Sequence, residues 1–246
     1  MQRNKKWQFI NAFHLKLLAM ALMLCAHLWS IGAASCNRLD DIGRLAFPIF
    51  AFQIVEGFHQ TKSFKKYFLR MLIFAAVSEI PFNLMAEGGW IYPFHQNVMF
   101  TFCIALLLMK WMENAREKSK RKFILRAVVS VVGGFLLGFI TMVDYFGYGV
   151  LMVLVFYLFR DLKFGWIGEL ICMVYINWFM MGGKEYIVVI NGSENYIPQQ
   201  GFAVLALIPI WLYNGKQGPH GKVFQYACYA FYPVHMIVLA ILMRIL

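Results

Sequence analysis

Long runs of apolar residues, separated by short polar stretches, make up almost the whole chain. An α-helix needs roughly 20 apolar residues to cross a bilayer, and most of these runs approach that length. The pattern predicts an all-α polytopic membrane protein with about nine transmembrane helices, of which the sixth and eighth are short. The predicted spans are residues 13–33, 44–60, 66–86, 97–113, 123–143, 145–159, 164–181, 200–213 and 223–243.

The polar stretches between the runs are too short to be interdomain linkers, and no internal repeat is evident. We therefore expect a single transmembrane domain over residues 1–246. The composition agrees with a membrane protein, because 61% of the residues are hydrophobic and only 14% are charged. A soluble domain is about half apolar and about one quarter charged. The five cysteines are scattered, without a C-x-x-C pair, and predict no disulfide framework.

The distribution of basic residues predicts the orientation. If the N-terminus is cytoplasmic, nineteen of the twenty-three Lys and Arg residues fall in inner loops and four in outer loops. We therefore predict a cytoplasmic N-terminus and an extracytoplasmic C-terminus. The net charge of +11 then reflects membrane topology, and nucleic acid is not expected as a partner. A basic inner face attracts anionic membrane lipids, and it would equally suit a phosphate-rich ligand. Composition alone does not distinguish these two alternatives.

The first predicted span carries two ionisable residues on one face. Lys16 and His27 are eleven residues apart, which is about 16 Å along a helix and about 20° around it. A cation near the inner end and an imidazole in the outer third would suit an elongated anionic cofactor. In the alternative, Lys16 extends its amine to lipid headgroups and His27 bonds a backbone carbonyl.

The segment 40–58 has ionisable groups at both ends and a proline inside it. Placing such residues in the hydrocarbon of a membrane costs free energy, so their presence indicates function. Arg44 follows Asp40 and Asp41 closely, and a structural salt bridge at the outer rim explains these three residues well. Glu56 lies near the inner rim, too far along the helix to pair with Arg44.

Further polar groups lie at the predicted membrane surfaces, and each has a structural alternative. On the outer side, His95-Gln96-Asn97 and Asp144-Tyr145 either line an acceptor pocket or cap helices, and capping is favoured for Asp144. On the inner side, the backbone of 214–218 either cradles phosphate or forms an ordinary turn. His235 follows Pro233 inside the last span. No spacing of histidines and acids supports a metal site, so no metal is expected.

Ten blocks of the sequence, in order and nearly from end to end, form a recognisable set: 17–27, 42–50, 56–58, 78–82, 96–98, 100–101, 144–145, 147–149, 213–216 and 231–235. Together these blocks resemble the TraX family of membrane proteins. More distantly, the chain resembles the membrane acyltransferase superfamily, including its heparan-glucosaminide acetyltransferase-like members. A basic residue, ten intervening residues and a histidine mark the first span of that superfamily, as Lys16 and His27 do here. Its second span ends Ser-Gly-Phe, where this chain has Glu56-Gly57-Phe58.

The TraX resemblance implies acetyl transfer, because the namesake acetylates the N-terminal amine of conjugative pilin at the membrane. Acetyl-CoA is the implied donor, arriving from the cytoplasm. The implied acceptor enters from outside as a pilin-like peptide amine, a small amine, a sugar or a hydroxyl, with N-acetylation favoured. A bacterial cytoplasmic (inner) membrane is the expected location. His27 would act as general base, which is worth about 10²–10⁴-fold, or would itself carry the acetyl group in a ping-pong mechanism.

These implications assign candidate residues to three groups. The expected catalytic residues are His27, Asp41 and Arg44. The expected acetyl-CoA-binding residues are Lys16, Glu56, Lys66, Arg70, Asn214, Lys216 and His235. The expected acceptor-binding residues are Gln96, Asn97, Asp144 and Tyr145.

Two other classes of function compete with acetyl transfer. A small proton-coupled transporter would use the intramembrane ionisable groups as a relay, but such proteins commonly contain a repeated half, and no repeat is evident here. A non-catalytic assembly factor would tolerate replacement of both Lys16 and His27.

Overall fold

The structure is a computed structural model that describes residues 7–34, 36–190, 192–219 and 221–245. These residues are mostly helical, with one antiparallel pair of strands. The helices are α1 (Ala12–Ser30), α2 (Asn37–Gly43), α3 (Ala46–Gln60), α4 (Phe64–Ala86), α5 (Val98–Arg116), α6 (Lys120–Ile140), α7 (Phe146–Phe159), α8 (Gly165–Val174), a π-helix (Tyr175–Met180), a 3-10 helix (Gln199–Ala206), α9 (Leu207–Trp211) and α10 (Lys222–Met243). The strands are β1 (Glu185–Ile190) and β2 (Ser193–Pro198).

Each predicted span contains a helix, and five helices of the described chain are long and apolar enough to cross a membrane. These are α1, α4, α5, α6 and, from Val223, α10. The helices over the other four predicted spans are shorter. The chain is therefore a mainly helical, multi-pass membrane protein. The count of nine spans and the orientation of the termini stay predictions.

The second predicted span, residues 44–60, corresponds closely to α3. A separate short helix, α2, carries Asp40 and Asp41, and α3 starts only at Ala46. Pro48 is accommodated because it lies in the first turn of α3, where backbone N–H groups have no partner within the helix.

The polar segment between the seventh and eighth predicted spans contains an antiparallel β-hairpin. Glu185 pairs with Pro198, and Ile190 pairs with Ser193. The first strand reads Glu-Tyr-Ile-Val-Val-Ile, a run of β-branched and aromatic residues that favours an extended backbone. The prediction of an all-α fold therefore holds for the apolar segments and misses this hairpin.

The chain divides into two compact units, each built from two separate stretches of sequence. The first unit comprises Met1–Phe50 and Phe159–His220, and the second comprises Ala51–Leu158 and Gly221–Leu246. One boundary falls inside α3 and another at the end of α7. The prediction of one domain over the whole chain stays a prediction, and each unit is described by itself below.

Helix α7 belongs to the apolar core of the second unit. Val150 and the residues from Met152 to Tyr157 are all buried, as expected for a helix that is hydrophobic on nearly every side. Polar residues are also buried in this unit, namely Ser78, Asn83, Asn97, Thr101, Ser130 and His235. Because an unsatisfied polar group is costly in an apolar environment, these side chains direct attention to the region around them.

Candidate functional site

In the first unit, the Lys16 end of α1 is held by the loop 214–218. The N–H groups of Ala12 and Phe13 donate to the carbonyls of Lys216 and Gln217, at 2.9 and 3.1 Å. Asn214 Oδ1 in turn accepts the N–H of Lys216 at 2.9 Å, so the loop closes as a turn. The structure therefore places Lys16, Asn214 and Lys216 at the same end of α1; their role in binding acetyl-CoA stays a prediction.

The other end of α1 carries the half-buried His27 and packs against α2. Gly43 of α2 approaches Ala26 so closely that a Cβ at position 43 would lie 2.4 Å from the Ala26 Cβ. Trp29 Nε1 donates to Asn37 Oδ1 at 3.2 Å. The helix that bears Asp41, and that ends just before Arg44, therefore packs against the residue next to His27.

Asp40 forms the predicted salt bridge with Arg44, at 2.9 Å, and is only 4% exposed. Asp41 has different partners, which the sequence analysis missed. Its Oδ1 accepts the hydroxyl of Tyr186 at 2.6 Å and the side-chain N–H of Gln199 at 2.8 Å. The hydrogen bond to Asp41 raises the pKa of Tyr186 above its ordinary value. Both acids of α2 therefore belong to one polar network with the hairpin region.

In the second unit, the four expected acceptor-binding residues lie together. Gln96 forms a short parallel bridge with Val143, in which the N–H of Asp144 donates to the Gln96 carbonyl at 2.8 Å. The carbonyl of Asp144 accepts the Thr101 hydroxyl at 2.7 Å. Asp144 Oδ1 accepts the N–H of Tyr145 at 3.0 Å. The turn before α7 is thus bound to the start of α5.

This turn has an unusual backbone. Met142, Tyr145 and Phe146 have φ angles of 50°, 60° and 44°, in the left-handed region that non-glycine residues rarely adopt. Such conformations cost about 1–3 kcal/mol each and are found where surrounding contacts enforce them, often at functional sites. The bridge through Gln96 and the Thr101 hydrogen bond supply that enforcement here.

Asn97 caps α5, as the alternative for this residue predicted, since its Oδ1 accepts the N–H of Met99 at 3.0 Å. It also contacts α4. Its Nδ2 donates to the Ala75 carbonyl at 2.8 Å and to Glu79 Oε2 at 2.5 Å, and its backbone N–H donates to the same carboxylate. Asn97 is fully buried. The cap therefore also joins α5 to α4.

His95 lies between two carboxylates that the sequence analysis did not connect to it. Its Nδ1 is 2.8 Å from Glu87 Oε1, and its Nε2 is 3.6 Å from Asp144 Oδ1. The nearby Asp144 carboxylate, opposed by partial burial and assisted by the hydrogen bond with Glu87, raises the pKa of His95 to about 9. His95 is therefore an imidazolium at neutral pH.

The spacing of three polar residues is the one feature of the sequence that points to this region. Glu79, Asn83 and Glu87 are spaced four residues apart and follow one stripe of α4. Glu79 is an acid in the outer half of a predicted span, which the sequence alone shows. Its contact with Asn97, and the contact of Glu87 with His95, join segments that are separated in the chain and could not be predicted.

The other expected acetyl-CoA-binding residues lie in the second unit. Lys66 and Arg70 are one turn apart on α4, and the N–H of Lys66 is bonded to the capping Ser63. Glu56 accepts from Gln60 at 3.4 Å. His235 Nδ1 lies 2.7 Å from the Phe231 carbonyl, one turn earlier on α10. Among the residues that the structure describes, no group of three or more His, Cys, Asp or Glu could hold a metal ion.

These observations define a mainly helical, multi-pass membrane protein with a polar cluster in each of its two units. The family model described as TraX protein matches residues 12–243, and the chain belongs to this family. It is also similar to a protein of Dichelobacter nodosus named probable fimbrial assembly protein FimC, serogroup H1. The two are 27% identical over 248 residues, which cover 93% of this chain and 94% of that protein. No solved structure matches the chain.

Proposed function

We propose that this protein is a membrane acetyltransferase that transfers an acetyl group from cytoplasmic acetyl-CoA to an extracytoplasmic acceptor. The acceptor is an amine in preference to a hydroxyl. The similarity to a probable fimbrial assembly protein favours the N-terminus of a pilin-like peptide among amines. In this proposal the chain crosses the bacterial inner membrane nine times, with its N-terminus inside and its C-terminus outside.

One observation carries the proposal: the arrangement along α1. Lys16 and the loop 214–218 lie at one end of the helix, and His27 lies about 16 Å away on the same face, beside α2. Lys16 and Lys216 supply positive charge for a phosphate-bearing carrier at the first end. The imidazole at the other end is then about as far away as the reactive end of an extended carrier.

His27 acts as general base in the proposed reaction. The amine nitrogen attacks the thioester carbonyl carbon, so that a C–N bond forms while the C–S bond breaks. The imidazole accepts the proton lost by the nitrogen and returns it to the departing sulfur, which leaves as a free thiol. An unperturbed histidine has a pKa near 6.5, which suits both steps near neutral pH. In this mechanism Asp41 and Arg44 position α2 next to His27.

The experiment uses the full chain, purified and reconstituted in lipid vesicles, with radiolabelled acetyl-CoA and an alanine tripeptide amide bearing a free N-terminal amine. The expected result is acetylated peptide and free CoA thiol in equal amounts. His27→Ala should lower the rate by 100-fold or more. His14→Ala is the matched control, because His14 is an exposed histidine of the same helix, and it should retain wild-type activity.

Two results would refute the proposal. One is the absence of thioester cleavage by folded, reconstituted protein with any of the amine or sugar acceptors. The other is full activity of His27→Ala. Transport of a solute in vesicles without a thioester would favour the transporter class instead.

A further inference from the structure

The stripe Glu79–Asn83–Glu87 of α4 has no part in the function proposed above, yet it faces the strained turn of the second unit. Glu79 contacts Asn97 and Glu87 contacts His95, so both ends of the stripe meet the segment before α5. At about 1.5 Å per residue, the two glutamates are about 12 Å apart along the helix, with Asn83 midway between them.

A third carboxylate approaches the same region. Asp144 contacts the other side of the His95 ring. Glu87 and Asp144 therefore contact His95, and Glu79 contacts Asn97. The cluster of the described residues Glu79, Glu87, Asp144 and His95 has three acidic side chains and one histidine, so it carries excess negative charge.

Two hydrogen-bond acceptors of this region lack a donor. Asn83 is only 2% exposed, and its Oδ1 is buried without a hydrogen-bond partner. Gln96 Oε1 is likewise buried without a partner, although the other side-chain atom of this residue, Nε2, donates to the Pro93 carbonyl at 2.6 Å. A buried acceptor without a donor costs about 1–3 kcal/mol, so the region is short of donors.

The cluster lacks positive charge and lacks hydrogen-bond donors, and these two deficits define the chemistry of a ligand that would fit. It must carry positive charge, to balance the carboxylates, and several N–H donors, to satisfy the amide oxygens. A protonated primary amine has both properties, with three donors on one small cation. A metal ion fits less well, because no group of three or more His, Cys, Asp or Glu side chains among the described residues could hold one.

We propose that Glu79, Asn83, Glu87, Gln96 and Asp144 form a binding site for a protonated primary amine, such as the N-terminus of a peptide. That the bound amine is the acetyl acceptor rests on the proposed function, but the binding itself does not. In this proposal Glu79, Asn83 and Glu87 take part in ligand binding, a role not assigned to them above. Gln96 and Asp144, already expected to bind the acceptor, would bind a cation.

The test measures binding without acetyl-CoA, by calorimetric titration of the full chain in lipid nanodiscs. The probes are an alanine tripeptide amide with a free N-terminal amine and the same peptide with an acetylated N-terminus. The free amine should bind at least 10-fold more tightly. Glu79→Gln and Glu87→Gln, which remove charge and keep shape, should each weaken its binding about 10-fold. Glu117→Gln, at an exposed carboxylate of the same unit, should bind like wild type.

Equal binding of the two peptides would overturn the proposal, as would wild-type affinity in a folded Glu87→Gln variant. Glu87 decides the outcome if Glu79→Gln fails to fold, because its side chain is 24% exposed and more tolerant of change. Methylammonium should displace the free-amine peptide, whereas tetramethylammonium, a cation without N–H groups, should not. If the peptide binds as expected but no acetyl transfer occurs, only the proposed function fails. If wild type and both glutamine variants transfer acetyl equally well, only the amine site fails.

Discussion

The side-chain amide of Gln199 lies 2.8 Å from the carboxylate of Asp41, across 158 positions of sequence. The same nitrogen is 3.0 Å from Asp40. Gln199 is 3% exposed and begins the 3-10 helix that follows β2. One amide therefore holds both acids of α2, the helix that packs next to His27.

Replacing Gln199 by leucine should destabilise the protein by about 1–3 kcal/mol, because two carboxylates then lose a buried donor. Thermal unfolding in detergent would show this as a fall in Tm of several degrees. Gln225→Leu, on α10 of the second unit, serves as the control and should leave Tm nearly unchanged. An equal Tm for both variants would contradict a structural role of the Gln199 contact.

Gly43→Ala should destabilise the first unit by about 2 kcal/mol or more. The added Cβ would lie 2.4 Å from the Ala26 Cβ and 2.9 Å from its Cα, so α1 and α2 would have to move apart. Gly133→Ala is the matched control, since a Cβ at that position of α6 meets no atom within 4 Å. The control should be neutral or slightly stabilising, because alanine favours a helix more than glycine does. Unfolding midpoints of the two variants measure the difference.

The stability of the second unit should depend on the charge of His95. Its folded-state pKa of about 9 is above the unfolded value near 6.5, so the protonated form stabilises the folded state. This contribution is fully present below about pH 6.5 and is lost as the pH rises through about 9. Tm of the wild type should therefore fall more steeply between pH 7 and 10 than Tm of His95→Gln. Parallel curves for the two proteins would show that the His95 proton makes no contribution.

Lys16→Ala should raise KM for acetyl-CoA about 10-fold and leave kcat nearly unchanged. This result is expected because a cation that holds a distant part of the carrier contributes equally to ground-state and transition-state binding. Lys163→Ala removes an exposed cation of the same unit and should change neither constant. A loss of kcat at constant KM would instead place Lys16 near the reacting atoms.

Asn97→Ala should destabilise the protein by about 1–3 kcal/mol, since it removes the cap of α5 together with two buried donations to α4. Asn97→Ser retains an acceptor for the cap and loses the donations, so it should recover only the cap contribution, about 1 kcal/mol. Chemical unfolding of the two variants separates these terms. If serine restored full stability, the contacts of Asn97 with Ala75 and Glu79 would have no energetic weight.

Local features of the chain could be predicted from the sequence because they depend only on consecutive or nearby residues. An apolar run long enough for a bilayer is a property of consecutive residues, and every predicted span contains a helix. The bridge between Asp40 and Arg44 joins residues four apart on one helical stretch, and the cap by Asn97 acts on residues beside it. Such short-range chemistry depends little on the rest of the fold.

Contacts between distant segments could not be read in the same way. No periodic pattern or residue spacing in the sequence predicts the break between α2 and α3 or the hairpin. The same is true of the hydrogen bonds from Tyr186 and Gln199 to Asp41. The same holds for His95, whose two carboxylate partners come from α4 and from the turn before α7.

The sequence by itself therefore determined the membrane class, the approximate helices and the family resemblance, because hydrophobic length and motif order are written along the chain. The tertiary structure decided which polar groups share a cluster and which acceptors lack a donor. Those relationships arise only when helices pack, since packing brings buried groups from remote positions within hydrogen-bonding distance and excludes the water that would otherwise satisfy them.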